Sequence, residues 1–226
     1  MSAIISRSKG FIFLKVPKNA SLTITTILLE AGLVSGKNDT TAFSPVGATS
    51  TPMERVHPNV DDLLKQGLIT QSERNTLPVY AFYRDPVDRF LSAYRFAKYT
   101  HPVGFNLDIG ANARDEIGLD FVVENLDTIA ERMVFFKKQS HWLDTPNITI
   151  YDLADFRTSM TKFRNLYEGH AVSFLDEYSS VNIDKYSGHN TDEQRSLVSL
   201  TTAQISVVRS FYSCDYKFNP TIRVAA

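Results

Sequence analysis

The chain has 226 residues, 43% of them hydrophobic, and a formal net charge of −1. That is enough apolar material for one core, so a single domain over residues 1–226 is expected. The near-zero charge speaks against a general nucleic-acid binder, no apolar run approaches a membrane span, and the lone cysteine, Cys214, excludes an internal disulfide and fits a reducing, cytoplasmic setting.

In chain order, residues 1–9 lack the long apolar region of a signal peptide, which again suggests a soluble protein. Residues 11–16, Phe-Ile-Phe-Leu-Lys-Val, are rich in β-formers and read as a buried strand. Pro17 ends it, having no N–H for a ladder. From Ser21 the apolar positions Leu22, Ile24, Ile27, Leu28 and Ala31 follow a helical pattern, and Gly32 stops it. A strand, a tight polar loop and a helix in that order aim backbone N–H groups and a positive helix end at one place, which suits an anion. Lys18 adds charge there, and Ser21 and Thr23 add hydroxyl donors. The same residues also suit an ordinary strand-to-helix turn, and the glycines of a Walker A loop are absent.

Residues 33–52, rich in Gly, Ser, Thr, Asn and Pro, read as a surface loop. His57 precedes Pro58 and should be extended. Asn59 is placed to cap a helix over residues 60–66 with Asp61 and Asp62 in its first turn, and a second short helix spans 71–75. Residues 79–83 form another strand, ending at Arg84. Pro86 suits the first turn of the following helix, whose apolar face is Phe90, Leu91 and Tyr94. Arg84 and Ser92, eight residues apart, can converge on a second phosphate.

These two stretches, Pro-Lys-Asn-Ala-Ser-Leu-Thr and Arg-Asp-Pro-Val-Asp-Arg-Phe-Leu-Ser-Ala-Tyr, together resemble the two nucleotide motifs of sulfotransferases that use 3′-phosphoadenosine 5′-phosphosulfate (PAPS). The closest flavour is the carbohydrate branch, with Val-Pro-Lys-x-Ala-Ser and Arg-Asp-Pro-x-x-Arg, and the resemblance covers residues 10–100. It implies an α/β, P-loop-like three-layer fold with a central, mostly parallel sheet flanked by helices. It implies transfer of a sulfuryl group from PAPS to an acceptor hydroxyl, on a carbohydrate, with adenosine 3′,5′-bisphosphate (PAP) as product and no metal. Lys18, Asn19, Ala20, Ser21, Leu22 and Thr23 would hold the 5′-phosphosulfate, with Lys18 stabilising the leaving group, while Arg84 and Ser92 would hold the 3′-phosphate. Relatives often carry a histidine between the motifs as base, which points to His57; its ordinary pKa suits that task, and a plain loop histidine is the alternative. Some relatives use glutamate, so Glu54 is a rival. The chain departs from the resemblance at Leu22, where many relatives have a second hydroxyl, and in lacking the membrane anchor of the branch's Golgi members.

Beyond the motifs, the nucleotide helix is expected to run over 87–99, with Arg89 either joining the nucleotide site or pairing with Asp85 or Asp88. Residues 101–114, with His101, read as a loop suited to an acceptor. Ile117, Phe121, Val122, Leu126, Ile129, Met133 and Phe136 form a core stripe. Gln139, His141 and Trp142 fit either an acceptor-pocket segment, as the resemblance implies, or a closed core. A strand over 147–153, a helix over 154–167, a polar segment over 169–195 and a final helix over 201–212 complete the chain, and the resemblance points to 185–190 as a loop closing over the nucleotide. No zinc-ligand spacing and no Gly-x-Ser-x-Gly elbow occurs. Two other classes fit parts of the pattern: a small-molecule kinase of P-loop-like fold, and a non-catalytic module that binds PAP or PAPS.

Overall fold

The computed structural model describes residues 3–34, 39–42, 57–100, 118–168 and 198–220. Glu54, the loop at 101–114, the segment at 185–190 and most of 33–52 lie outside them.

Five strands form one sheet: β1 (Ala3–Ser6), β2 (Phe11–Leu14), β3 (Thr40–Ala42), β4 (Val79–Tyr83) and β5 (Ile148–Asp152), in the order β3-β1-β2-β4-β5. β1 is antiparallel to both its neighbours, while β2, β4 and β5 are mutually parallel. Four strands therefore share one direction, and the expected mostly parallel α/β sheet is what the chain builds. Two strands were not foreseen. β1 makes a hairpin with β2 through a turn at Arg7–Gly10, with Gly10 at φ 71°. β3 lies inside the stretch read as surface loop, and its Thr-Thr-Ala sequence is too short and polar for a periodic signal.

β1, β2 and β4 are buried on both faces, and their alternate residues divide between two cores. Ile4, Phe11, Phe13, Tyr80 and Phe82 face one side. They pack there against Ile24, Ile27 and Leu28 of α1 (Ser21–Glu30) and Met160 and Phe163 of α8 (Phe156–Glu168). Ala3, Ile5, Ile12, Leu14, Val79, Ala81 and Tyr83 face the other. That second core takes Val60 and Leu63 of α2 (Val60–Lys65), Phe90, Ala93 and Tyr94 of α4 (Pro86–Arg95), and Val208 of α9 (Thr202–Phe211). α3 (Gln71–Thr76) lies between α2 and β4. The result is three layers.

The stripe expected over residues 117–137 is broken at Asn125 into α5 (Leu119–Glu124) and α6 (Leu126–Arg132), followed by a 3-10 turn at Val134–Phe136. Phe121, expected in the core, is 42% exposed. A four-residue helix, α7 (Ser140–Leu143), leads to β5, and a 3-10 segment at Ser213–Phe218 follows α9.

One feature of the topology positions the site. From β2 the chain passes to α1 on one face; from the adjacent, parallel β4 it passes to α4 on the other. Departures to opposite faces open a crevice at the carboxyl ends of the two strands, the usual ligand position in such sheets.

Candidate active site

The loop between β2 and α1 has an unusual backbone. Lys18 and Ala20 both have positive φ, 66° and 53°, while Asn19 between them does not. Each left-handed non-glycine residue costs about 1–2 kcal/mol, and such alternation turns successive N–H groups toward one concave point, an anion nest. Ala20 is the N-cap of α1; it makes no side-chain cap, and the first turn has no acidic residue. The first N–H groups of an uncapped helix have no partner within the helix. The hydroxyls of Ser21 and Thr23 form no hydrogen bond among the described residues. Leu22, at the second helical position, is 55% exposed.

Three cations surround this loop. Lys18 is half-buried with its Nζ 3.9 Å above the Phe96 ring centroid. Burial, then the positive charges of Arg84 and Arg89, holds its ammonium down at about 8. Arg84 extends from the end of β4 and donates from Nη1 to the Lys18 carbonyl at 3.1 Å, tying the two motifs together. Arg89 is fully buried; it donates from Nε to Pro17 O at 3.0 Å and from Nη2 to Phe135 O at 3.2 Å. Its guanidinium lies about 6 Å from the Trp142 and Tyr212 rings, at 6.0 and 5.9 Å. Neither pairing expected for Arg89 occurs, because Asp85 accepts instead from Val87 N and Asp88 N and caps α4. Among the described residues no carboxylate makes a salt bridge to Lys18, Arg84 or Arg89; Asp88 and Asp85 act on Arg84, and Asp215 on Arg89, only from farther away. Unpaired charge in a partly desolvated place is costly, and it favours binding of an anion.

Asn19 belongs to the loop expected to hold the 5′-phosphosulfate through its backbone N–H groups, and its side chain points the other way. Its side chain is 2% exposed and braces the loop from behind, donating from Nδ2 to Phe82 O at 2.6 Å and to Gln139 Oε1 at 2.7 Å. Only its backbone N–H faces the turn, where it donates to Val16 O at 3.3 Å. Ser92 lies half-buried on the second turn of α4, with no hydrogen bond from its hydroxyl among the described residues.

His57 is anchored to the strand that bears the loop. Its Nδ1 lies 2.7 Å from Lys15 O. A carbonyl can only accept, so Nδ1 carries the proton and Nε2 keeps a lone pair. Burial, opposed by this hydrogen bond and reinforced by the Lys15 charge, pushes the imidazole down to about 4, so it is neutral throughout the physiological range. Trp142 Nε1 donates to His57 O at 2.8 Å.

Sequence reasoning missed the parts behind the site. Gln139 is fully buried and lines no acceptor pocket. Its Oε1 accepts from Asn19 Nδ2 and, at 3.2 Å, from Arg84 N, and its Nε2 donates to Arg84 O at 2.8 Å. The buried Asp215 carboxylate accepts from Gln139 N and Ser140 N, both at 2.8 Å. These partners are 55 to 120 residues apart in sequence, and no local pattern marks them.

Among the described residues no helix is long and apolar enough to cross a membrane, and no group of three or more His, Cys, Asp or Glu side chains is placed to hold a metal ion. No curated protein and no solved structure matches the chain. The sequence profile described as the sulfotransferase family matches residues 1–218 of the 226. The mostly parallel α/β sheet flanked by helices agrees with that match, and the chain belongs to the sulfotransferase family.

Proposed function

We propose that the protein transfers the sulfuryl group of PAPS to a hydroxyl of a carbohydrate acceptor and releases PAP. The observation that carries this reading is the uncapped start of α1, with Lys18 and Arg84 beside it and no carboxylate pairing either cation among the described residues. Two anionic groups of one ligand would complement these charges, a 5′-phosphosulfate on the loop and a 3′-phosphate at Arg84 and Ser92. The carbohydrate class comes from the motif resemblance, Val-Pro-Lys-x-Ala-Ser and Arg-Asp-Pro-x-x-Arg.

PAPS, when bound, supplies a sulfuryl group on a phosphate leaving group. The backbone N–H groups of residues 20–23 and the helix dipole orient its 5′ end. Lys18 meets the negative charge that grows on the bridging oxygen as the bond to sulfur breaks. His57 Nε2 takes the proton of the acceptor hydroxyl as its oxygen bonds to sulfur. The Nδ1–H bond to Lys15 O keeps that lone pair available, and it stabilises the imidazolium that forms. Arg84 and Ser92 select a 3′-phosphate and so reject ATP. Positioning and charge stabilisation carry the rate, as in loose in-line phosphoryl transfer.

The test is transfer from radiolabelled PAPS to a panel of carbohydrates, simple alcohols, lipids and tyrosine peptides, with release of PAP followed in parallel. Labelled sugar and PAP in equal amounts are expected. PAP binding without turnover on any acceptor would leave a binding module, and phosphorylation from ATP with magnesium would make the chain a kinase.

A further inference from the structure

Around the site, one short segment is bonded to the loop after β2, to Arg84 and to His57. Residues 139–142, at the start of α7, lie across the carboxyl ends of β2 and β4 and make four sets of contacts. Gln139 holds Asn19 of the loop and both backbone groups of Arg84. Trp142 holds the carbonyl of His57. The carbonyl of His141 accepts from Asn59 Nδ2 at 3.3 Å, while Asn59 Oδ1 caps α2. From behind, Asp215 takes the N–H groups of Gln139 and Ser140 and fixes the segment to the turn after α9. Gln139 and Trp142 are both fully buried, so neither can touch a substrate.

We propose that Gln139 and Trp142 are positioning residues with separable tasks: Gln139 sets the spacing of the loop and Arg84, and Trp142 sets the place of the base His57. The argument for Gln139 is stoichiometric. A side-chain amide has one acceptor oxygen and one N–H₂ group, and here the oxygen serves both motifs while the nitrogen returns to the second. Two other side chains tie the loop to the end of β4, Asn19 by its bond to Phe82 O and Arg84 by its bond to Lys18 O, and Gln139 joins both of them. A shift of either motif breaks a buried bond of this amide. The argument for Trp142 is the isolation of His57, which lies outside any helix or strand. Among the described residues it is held by two bonds, Nδ1 to Lys15 O and its own carbonyl to Trp142 Nε1. Loss of the second frees the backbone that aims the ring.

The inference rests on the PAPS reading, and the experiment separates the two. PAP binding is measured by calorimetry, and the imidazole nitrogens of His57 are followed by NMR from pH 3 to 8, the His57 signal being identified by its loss in His57→Ala. Melting temperatures are recorded for every protein. Gln139→Met is expected to weaken PAP binding tenfold or more and to leave the His57 signals in place. Trp142→Phe, which keeps most of the ring volume and removes the N–H, is expected to leave PAP affinity within twofold. It should also cost His57 its single Nδ1–H form and move its titration upward, toward the ordinary histidine value. If Gln139→Met does not fold, Gln139→Glu keeps the oxygens facing Asn19 and Arg84 N but loses the donor to Arg84 O, and a threefold or greater loss of PAP affinity is expected. Two variants that lower melting temperature and PAP affinity together, with His57 unmoved in both, would overturn the proposal. So would Gln139 variants that bind PAP as the parent does. A parent protein that does not bind PAP would sink the donor reading instead. The segment would then stand or fall on whether Trp142→Phe changes His57.

Discussion

The starts of α1 and α2 face the same problem and meet it in opposite ways. At α2, Asn59 accepts from Asp62 N at 2.8 Å, Asp62 returns the bond to Asn59 N at 3.1 Å, and two acids sit in the first turn. α3 and α9 carry the same reciprocal box at Thr70 and Thr201. α1 has Ala20 in a left-handed conformation, no cap and no acid. A capping serine is present one residue too late, at Ser21. α5, α6 and α7 also lack a side-chain cap, but α5 and α6 carry an acid in the first turn and Asp215 takes the N–H groups of Gln139 and Ser140 at the start of α7, whereas the start of α1 has neither; under the proposed function a ligand anion supplies that partner. The strain at Lys18 and Ala20 belongs to the same arrangement.

The comparison is broken most severely by removing the charge at the open helix start. Lys18→Ala is expected to lower sulfuryl transfer by about 10²-fold or more, the usual loss for a transition-state donor; single-turnover assays with PAPS check this, and a change below threefold takes Lys18 out of the chemistry. Next, Arg84→Ala should weaken PAP by about 1.5–3 kcal/mol, the worth of a hydrogen bond to a charged group. It also removes the bond to Lys18 O. Calorimetry reads the loss, and unchanged affinity rejects the 3′-phosphate assignment.

pH sharpens the comparison without a mutation. Lys18 loses its proton around a midpoint of about 8, so PAP affinity should fall by up to about tenfold from pH 7 to 9, and Lys18→Arg should flatten that slope. Ligand-free stability moves the other way. The folded midpoints of Lys15 and Lys18, both about 8, lie below the ordinary 10.5. The unfolded chain therefore binds more protons between those values, and stability rises with pH across that window. Denaturant titrations at pH 7, 8.5 and 10 would show the trend, and a fall in stability would contradict it.

Two smaller changes act on one uncapped and one capped helix start, those of α1 and α3. Leu22→Glu puts an acid in the first turn of α1 at an exposed position. It should stabilise the ligand-free protein by about 0.3–1 kcal/mol and weaken PAP, so thermal melting and binding move in opposite directions. Thr70→Ala removes the cap of α3, which bonds Glu73 and neither motif, and should cost about 0.5–2 kcal/mol of stability. PAP affinity should not change; a parallel loss of binding would mean that the capped and uncapped ends are not independent.

Much of the fold was legible because its signals are local. The apolar run at 11–14, the breaker Pro17 and the helical spacing after Ser21 delivered β2 and α1, and Asn59, Pro86 and Gly32 marked helix ends that the structure reproduces. β1 and β3 were missed because strands of four and three residues carry too few positions for a period. Lys18, Arg84 and His57 could be singled out by residue type and spacing, and the structure joins Arg84 to the Lys18 carbonyl and His57 to the end of β2. The bracing of Asn19, the burial of Gln139 and the capture of backbone carbonyls by Arg89 were not legible. Each is a bond between distant segments, and a glutamine or arginine bound to a carbonyl far along the chain leaves no periodic trace.

The central claim is that the open end of α1 and the arginine after β4 form one site for a 3′,5′-bisphosphorylated adenosine. Titration of PAP by calorimetry, with no metal present and ATP and ADP as controls, tests it most directly. The account predicts micromolar or tighter binding of PAP and far weaker binding of ATP. No PAP binding, or a preference for ATP with magnesium, would contradict it.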